Sequence, residues 1–259
     1  MIILGLDTTM AACSLALLRH DPKPDQDEIL FSEQIAMRHG QAESLLPAIQ
    51  AALTQAGLDP QAINAVAATT GPGAFTGIRV GLAAARGFAL ALGCPGIGVD
   101  GFTLYHRMAL AQGLPDDAGL LTIIDSRRAE HYVQARLGKN ITPDTEQDSN
   151  AGIHVASLAL DDIAPWLARL PQPPAGWQVT GDLATSLGQT LTSQTQAGLS
   201  VAGVTQQYSD PVMIARLGLE RLRQGDTVAR QTYPLDPIYH RPPDATPAKP
   251  TRIWLADQR

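Results

Sequence analysis

Three turns of this chain place an acid beside hydroxyl or glycine residues at the ends of apolar segments. The residues in these turns are Asp7, Thr8, Thr9, Asp125, Ser126, Gly181 and Asp182. Such turns can approach a nucleotide, because hydroxyls and backbone amides donate to phosphates while a carboxylate acts through a metal ion and its water. Polar hairpin turns, with a helix N-cap at Asp182, are the structural alternative. The turn residues alone do not decide between the two interpretations.

The segment ATTGPGAFTGIRVGLAAARGFALALG, residues 68–93, is rich in glycine and alanine. Its glycines could cradle a phosphate at a helix N-terminus. It is not a Walker loop, because no Lys-Ser or Lys-Thr pair follows the glycines, and Gly71, Gly73 and Gly77 do not fit the dinucleotide-binding spacing. A helix from Thr76 to Leu92, apolar or small on nearly every side, is expected to be buried on more than one side. Its second neighbour can belong to this chain or to another.

Metal and nucleophile chemistry find little support in the sequence. His39 and Glu43 share a helix face, but no third ligand follows at a suitable spacing. Cys13 and Cys94 stand among apolar or small residues, which favours buried free thiols over a disulfide or a metal pair. No G-x-S-x-G nucleophile motif is present. We therefore expect no metal site, no catalytic residue and no stoichiometrically bound cofactor.

Apolar periodicity predicts strands and helices that alternate along the chain. Strands are expected at 2–7, 13–18, 29–35, 63–70, 97–99, 119–125, 130–137 and 177–180, and helices at 39–56, 76–92, 102–111, 183–191 and 211–224. Residues 138–152 are expected to form a surface loop, and the proline-rich tail at 234–250 to be extended. This alternation is typical of an α/β protein.

Length and composition indicate an ordinary globular protein of one large domain or two smaller ones. The chain has 259 residues, of which 44% are hydrophobic and 17% charged. A formal net charge of −6 lacks the basic footprint of a protein that holds RNA by itself. The opening MIILGLD is unlike a signal peptide, and no uninterrupted apolar stretch reaches the roughly 18 residues that span a membrane. A cytoplasmic protein without membrane contact is expected.

Several segments, in order along nearly the whole chain, resemble the TsaB (YeaZ) family of tRNA threonylcarbamoyladenosine biosynthesis proteins, within the actin-like ATPase superfamily. They are LGLDTTMAACSLALL, HGQAESLLPAIQAAL, TTGPGAFTGIRVGLAAARGFALALG, IDSRRAEHYV, the Gly181-Asp182 turn, PVMIARLGLERL and PIYHRPPDA. The glycine-rich segment is the most specific of these. Ala74 departs from the serine that the family usually has in that loop, which would weaken a hydroxyl contact there.

The resemblance implies a two-lobed actin/Hsp70-like (ribonuclease H-like) fold with mixed sheets flanked by helices. An N-terminal lobe carrying the partner-binding helices is expected at 1–103 and a C-terminal lobe at 104–207. A helix that returns towards the first lobe, followed by the proline-rich tail, is expected at 208–259. In such a fold the seven turn residues would be a vestigial nucleotide-binding site, with ATP or ADP acting at the level of a complex.

The same resemblance implies a non-catalytic subunit of the bacterial complex that forms N6-threonylcarbamoyladenosine next to the tRNA anticodon. The chain would bind and stabilise the catalytic subunit TsaD, be joined by the ATPase TsaE, meet tRNA only through the complex, and form a homodimer when alone. TsaD holds its metal through paired histidines on the helix that matches 39–56, and Glu43 replaces the second histidine here. The residues expected to bind the partner are Leu45, Leu46, Ile49, Gly77, Val80, Gly81, Ala83, Ala84, Ala85, Gly87 and Phe88.

Two enzymatic alternatives remain. One is a nucleotide-hydrolysing, sugar-kinase-like ATPase of the same fold, with Asp7, Asp125 and Asp182 as its acids. The other is a glycoprotease-like protein, which the absence of a nucleophile and of paired histidines disfavours. Turnover by the isolated chain would separate these alternatives from an accessory subunit.

Overall fold

A computed structural model describes residues 1–21, 27–137, 152–193, 200–223 and 235–239 of the chain. The loop expected at 138–152 and the extended tail expected at 234–250 lie outside these residues, apart from Gly152 and the short segment 235–239. The segment between the second and third strands is described only at its ends.

The first sheet has five strands in the order β3-β2-β1-β4-β5. They are β1 (Ile2–Asp7), β2 (Ala12–Arg19), β3 (Glu28–Ala36), β4 (Ile63–Gly71) and β5 (Gly96–Asp100). β1, β2 and β3 form antiparallel pairs, whereas β4 pairs parallel with β1 and with β5. Every residue of the central strand β1 is buried, because helices cover both faces of the sheet.

One face of this sheet carries two neighbouring helices, α1 (Gln41–Gln55) and α2 (Phe75–Leu92). A short 3-10 helix, Pro60–Ala62, leads from α1 into β4. The apolar stripe of α1 packs on the sheet, with Leu45, Ile49 and Leu53 buried in the core. At the end of α2, Gly93 adopts the left-handed conformation (φ 62°) that commonly terminates helices.

The second sheet repeats the arrangement of the first, with the order β10-β9-β6-β7-β8. Its strands are β6 (Gly119–Ile124), β7 (His131–Leu137), β8 (Ile153–Leu158), β9 (Trp177–Gly181) and β10 (Val201–Gln206). Again the first three strands pair antiparallel and the other two parallel. The helices α4 (Leu160–Leu167) and α5 (Ala184–Ser193) pack on one face. The predicted α/β class with two mixed sheets flanked by helices is confirmed.

Two further helices fill the space between the sheets. They are α3 (Gly101–Ala111) and α6 (Pro211–Arg223). α6 packs on β1, β2 and β4, on the face opposite α1 and α2, and α3 contacts strands of both sheets. A bidentate ion pair joins them, with Arg107 Nη1 and Nη2 at 2.8 and 2.5 Å from the Glu220 carboxylate. The predicted lobe boundary after residue 103 therefore falls inside a helix shared by both lobes.

Three elements were missed by the sequence prediction: β8, α4 and β10. β8 is a half-buried edge strand of six residues, and α4 has eight residues and contains Pro165, so each is a short segment that apolar periodicity alone does not assign. The described residues of β10 are partly or fully exposed, and it too is an edge strand. Short edge strands are one way in which proteins avoid edge-to-edge aggregation, and β8 and β10 have six residues each.

α2 packs within the chain on one face, and 28% of it is buried. With 18 residues and a mean hydropathy of 1.3, it is long and apolar enough by length and composition to cross a membrane, although Arg79, Arg86 and three glycines interrupt its apolar run. Helices packed on the sheet of a folded domain pass the same test, and α2 is one of these.

Candidate functional site

The first of the three predicted turns is closed around its own acid. Asp7 is 1% exposed, and its Oδ1 accepts the backbone N–H of Thr9 at 2.8 Å. The Thr69 hydroxyl donates to the same oxygen and the Ser209 hydroxyl donates to Oδ2. Both carboxylate oxygens are thus used to join β1, β4 and the chain before α6.

The start of α2 packs directly onto the remaining residues of this turn. The Ala74 N–H donates to the Thr9 carbonyl oxygen at 2.7 Å, and the Thr8 hydroxyl donates to the Gly77 carbonyl oxygen at 2.6 Å. A Cβ added to Gly77 would lie 2.0 Å from the Thr8 carbonyl oxygen, so only glycine permits this approach. Groups expected to bind phosphate are therefore engaged with the chain's own helix.

The second and third predicted turns are joined to each other. The Asp182 Oδ1 accepts the backbone N–H of Asp125 at 2.9 Å, a role different from the N-cap that the sequence suggested. His131 and the backbone and guanidinium of Arg127 keep the pKa of Asp125 below its usual value, against the effect of burial. Burial, reinforced by the charge of Asp125, raises the pKa of Asp182 from 3.8 to about 6. Gly181 is also buried.

The raised pKa of Asp182 predicts a pH-dependent response to Asp182→Asn. The folded protein binds the Asp182 proton more tightly than the unfolded chain does. The contribution of Asp182 to the free energy of unfolding therefore falls as the pH rises from 3.8 to about 6. Asparagine stays neutral and keeps an acceptor oxygen. We expect the variant to gain about 1–3 kcal/mol relative to the parent between pH 4 and pH 7.5, as measured by urea denaturation at both pH values.

His106, whose pKa burial and Arg136 lower to about 4, is present in both proteins and cancels in this comparison. Asp161→Asn at an exposed position of α4 is the matched control and should show no comparable rise. If the difference in unfolding free energy between Asp182→Asn and the parent does not change with pH, the pKa of Asp182 is not raised in the folded protein.

A cleft of about 880 Å³ opens between the two lobes, beside the starts of α1 and α2. Its wall includes Asp125 and Ser126 of the second predicted turn. The first turn of α2, rather than the Asp7 turn, faces them across the cleft. Three arginines line it, and sequence analysis did not single them out: Arg38, Arg127 and Arg128. Arg127 has a left-handed backbone (φ 63°) and its guanidinium lies 3.5 Å from the Asp125 carboxylate.

A second depression, of about 510 Å³, follows the outer side of the α1–α2 pair, and we call it the helix groove. Its wall is apolar throughout and consists of Ala42, Leu45, Leu46, Val80, Ala83, Ala84, Gly87, Phe88 and Ala91. Leu46 of α1 is 56% exposed. An exposed leucine in an all-apolar groove is typical of a surface that another protein covers.

The structure separates the eleven predicted partner-binding residues into two groups. Those that reach the helix groove are Leu45, Leu46, Val80, Ala83, Ala84, Gly87 and Phe88. Ile49, Gly77, Gly81 and Ala85 are buried towards the sheet and the Asp7 turn. The prediction that these four residues contact the partner directly is therefore corrected, because a helix residue that packs on the sheet cannot also face outwards. Leu45 is largely buried as well and forms the floor of the groove.

The arrangement of the acidic, histidine and cysteine side chains bears on metal and thiol chemistry. Among the described residues, no group of three or more His, Cys, Asp and Glu side chains is placed to hold a metal ion. Cys13 is buried and Cys94 half-buried, and both are free thiols. Burial raises the pKa of Cys13 to about 11, which makes it an inert core residue at neutral pH.

Fold and site together define a two-lobed, actin-like (ribonuclease H-like) protein in which the first hairpin turn is closed and a helix pair is open on its outer side. Two structures from Pseudomonas aeruginosa share this fold over almost the whole chain. YeaZ superposes with a TM-score of 0.65 at 23% identity, covering 92% of this chain and 99% of its own. A protein with similarity to peptidase YEAZ gives 0.63 at 24%, covering 93% and 99%.

The chain belongs to the family described as TsaD: tRNA N6-adenosine threonylcarbamoyltransferase, whose sequence pattern matches residues 33–170, more than half of its length. It is 38% identical over 135 residues to the tRNA threonylcarbamoyladenosine biosynthesis protein TsaB of Escherichia coli, and 30% over 142 residues to that of Haemophilus influenzae. These matches cover 51% and 55% of this chain, and only 53% and 56% of the relatives. A tRNA N6-adenosine threonylcarbamoyltransferase of Erythrobacter litoralis is 34% identical over 123 residues, 42% of this chain and 35% of that protein.

Proposed function

We propose that this chain is a non-catalytic subunit of the bacterial complex that forms N6-threonylcarbamoyladenosine in tRNA next to the anticodon, and that it binds and stabilises a TsaD-like catalytic subunit. The helix groove is the observation that carries the proposal. It exposes Leu46 and an apolar wall of small residues on the outer side of α1 and α2. Two relatives named as TsaB proteins of threonylcarbamoyladenosine biosynthesis support the process assigned.

The partner would complete a four-helix packing. Because this chain belongs to the same family as the catalytic transferase, a TsaD-like partner is expected to present its own equivalent helix pair. Ala83, Ala84 and Gly87 allow the facing backbones to approach closely. Specific interfaces bury about 1,200–2,000 Å² in total, an area that two helix pairs can supply. Without the partner, the same face is expected to pair with a second copy and give a homodimer.

The closed Asp7 turn supports the accessory role over the kinase-like alternative. A hydrolase of this fold needs Asp7 and the hydroxyls beside it free for a metal ion and phosphates. Here the Asp7 carboxylate already accepts three hydrogen bonds, and the Thr8 hydroxyl donates to α2. Opening the turn would require the start of α2 to move away from Thr8 and Thr9, on which it packs at the end of β1.

The remaining partners belong to the complex. We propose that a TsaE-like ATPase joins the assembly, that tRNA is met only through it, and that the complex works in the cytoplasm. The chain alone would hold no cofactor or metal stoichiometrically, and ATP or ADP would act in the assembled complex. Phosphate binding there would suit the arginine-lined interlobe cleft, where the start of α2 adds its helix dipole.

Reconstitution tests this function. The purified chain is expected to show no ATP turnover, threonylcarbamoyl transfer or proteolysis, whereas a TsaD-like subunit with a TsaE-like ATPase should modify tRNA only when the chain is added. Nucleoside mass spectrometry of the tRNA measures the product. ATP turnover by the chain alone that Asp7→Asn abolishes would favour the kinase-like enzyme instead. Weak nucleotide binding without turnover agrees with the proposal.

A further inference from the structure

Residues 235–239, with the sequence LDPIY, lie across α2 as a short strap. Leu235 is buried in the same core as α1 and α2. The Arg86 guanidinium donates to the Leu235 carbonyl oxygen at 2.8 Å and pairs with the Asp236 carboxylate at 2.7 Å. Further along, the Ile238 N–H donates to the Thr70 carbonyl oxygen at 2.8 Å. Two anchor points therefore fix the strap between the middle of α2 and the end of β4.

The outer side of the strap forms an exposed cluster with the start of α2, and we call it the strap cluster: Phe75, Arg79, Ile238 and Tyr239. The Phe75 and Tyr239 ring centroids are 5.5 Å apart, and the Arg79 guanidinium carbon lies 3.9 Å from the Phe75 centroid. The Arg79 Nε also donates to the Tyr239 hydroxyl at 3.3 Å. Phe75, Ile238 and Tyr239 are 48%, 39% and 42% exposed, so this ordered apolar cluster faces solvent.

The strap cluster is continuous with the helix groove around the outward side of α2. At 100° per residue, Phe75, Arg79 and Arg86 lie on one flank of the helix and Val80, Ala84 and Gly87 on the other. Ala83 and Leu90 lie between the two flanks, and both are exposed, Leu90 by 86%. No buried residue therefore interrupts the surface from Leu46 of α1 to Tyr239.

We propose that the strap cluster is a second part of the surface that binds the TsaD-like catalytic subunit, and that it receives an apolar side chain and a carboxylate of that partner. The proposal rests on the proposed function. Tyrosine and arginine carry much of the binding energy in protein interfaces, and aromatic residues are enriched there. Arg79 takes part in no ion pair among those of the described residues, so its charge suits an acid on the partner.

Affinity measurements on the full chain test the strap cluster. Tyr239→Ala and Ile238→Ser should each raise the Kd for the TsaD-like subunit about tenfold, because each removes an apolar side chain of the strap cluster that the partner would cover. Val155→Ser is the matched control, since Val155 of β8 is 45% exposed on the other lobe, and its Kd should not change. Arg79→Gln should weaken binding at low salt and lose that effect at high salt.

Photocrosslinking keeps the test independent of stability. A benzoylphenylalanine at position 239 should crosslink to the TsaD-like subunit, and the same residue at position 155 should not. Unchanged Kd values for Tyr239→Ala and Ile238→Ser, or no crosslink from position 239, would overturn the inference. If Leu46→Arg still abolishes capture in that case, the helix groove and the proposed function stand without the strap cluster. If Leu46→Arg leaves capture intact as well, the surface that binds the TsaD-like subunit lies elsewhere on the chain. If the parent chain captures no TsaD-like subunit at all, the proposed function itself is wrong.

Discussion

Ala83→Arg is expected to abolish capture of the TsaD-like subunit and self-association while leaving the fold intact. Ala83 is exposed on the outward side of α2 and lines the helix groove. An arginine there meets only solvent in a single copy of the chain. At concentrations low enough to keep the parent monomeric, the melting temperature should therefore stay within about 2 °C of the parent's. In the complex the same side chain would occupy the space of a facing helix and bury a charge without a partner, which interfaces do not tolerate.

Ala85→Arg supplies the matched contrast on the same helix. Ala85 is completely buried against the sheet, so the substitution is expected to destabilise the chain by more than about 3 kcal/mol through overpacking and a buried charge. Ala84, which is half-buried at the edge of the groove, should show both effects to a smaller degree.

Three measurements decide the outcome: circular dichroism and melting for the fold, sedimentation for self-association, and co-purification with the TsaD-like subunit for capture. Retained capture by a folded Ala83→Arg variant would place the interface elsewhere on the surface. Equal destabilisation by Ala83→Arg and Ala85→Arg would mean that α2 is internal on both sides, contrary to the burial seen here.

Gly77→Ala is expected to destabilise the chain and to loosen the contact between α2 and the Asp7 turn. The added Cβ would lie 2.0 Å from the Thr8 carbonyl oxygen and 3.3 Å from the Thr9 Cα. Backbone atoms cannot rotate away as a flexible side chain does, so the start of α2 must move. Overpacking of this kind costs about 1–3 kcal/mol, and rigid contacts give the upper part of that range or more.

Gly87→Ala is the control for helix propensity. Gly87 also lies in the interior of α2, but nothing lies within 4 Å of a Cβ placed there. Alanine should therefore stabilise the helix by about 0.5–1 kcal/mol, because glycine loses more backbone entropy on folding. Urea denaturation of both variants measures the opposite signs. A Gly77→Ala variant as stable as Gly87→Ala would show that the Asp7 turn is not closed by α2.

Local pattern was sufficient to predict most of the fold. Its signals lie in residues that are close together in the sequence. Examples are the apolar period of α1, the short apolar runs of β1, β4 and β6, and the glycine at the end of α2. Asp7 ends the first strand of one sheet and Asp125 follows the first strand of the other, and the two sheets have the same strand order. β8, α4 and β10 were missed because each has only six to eight residues, and so short an apolar segment is ambiguous between strand and helix.

Residue types and spacing determined which segments of this chain are strands and helices, which helix is rich enough in small residues for close packing, and which turns carry acids. Only the tertiary structure decided how those features are used. The Asp7 turn is closed because Thr69, Ser209 and α2, distant in sequence, meet it in space. Likewise Ala83 faces outwards and Ala85 inwards, and the strap 235–239 lies beside Phe75. Apart from Thr76, Arg79 and Arg86, α2 is apolar or small on every side, so its sequence gives only a weak signal for the buried side. The sheet on which α2 packs therefore decides which face remains for a partner.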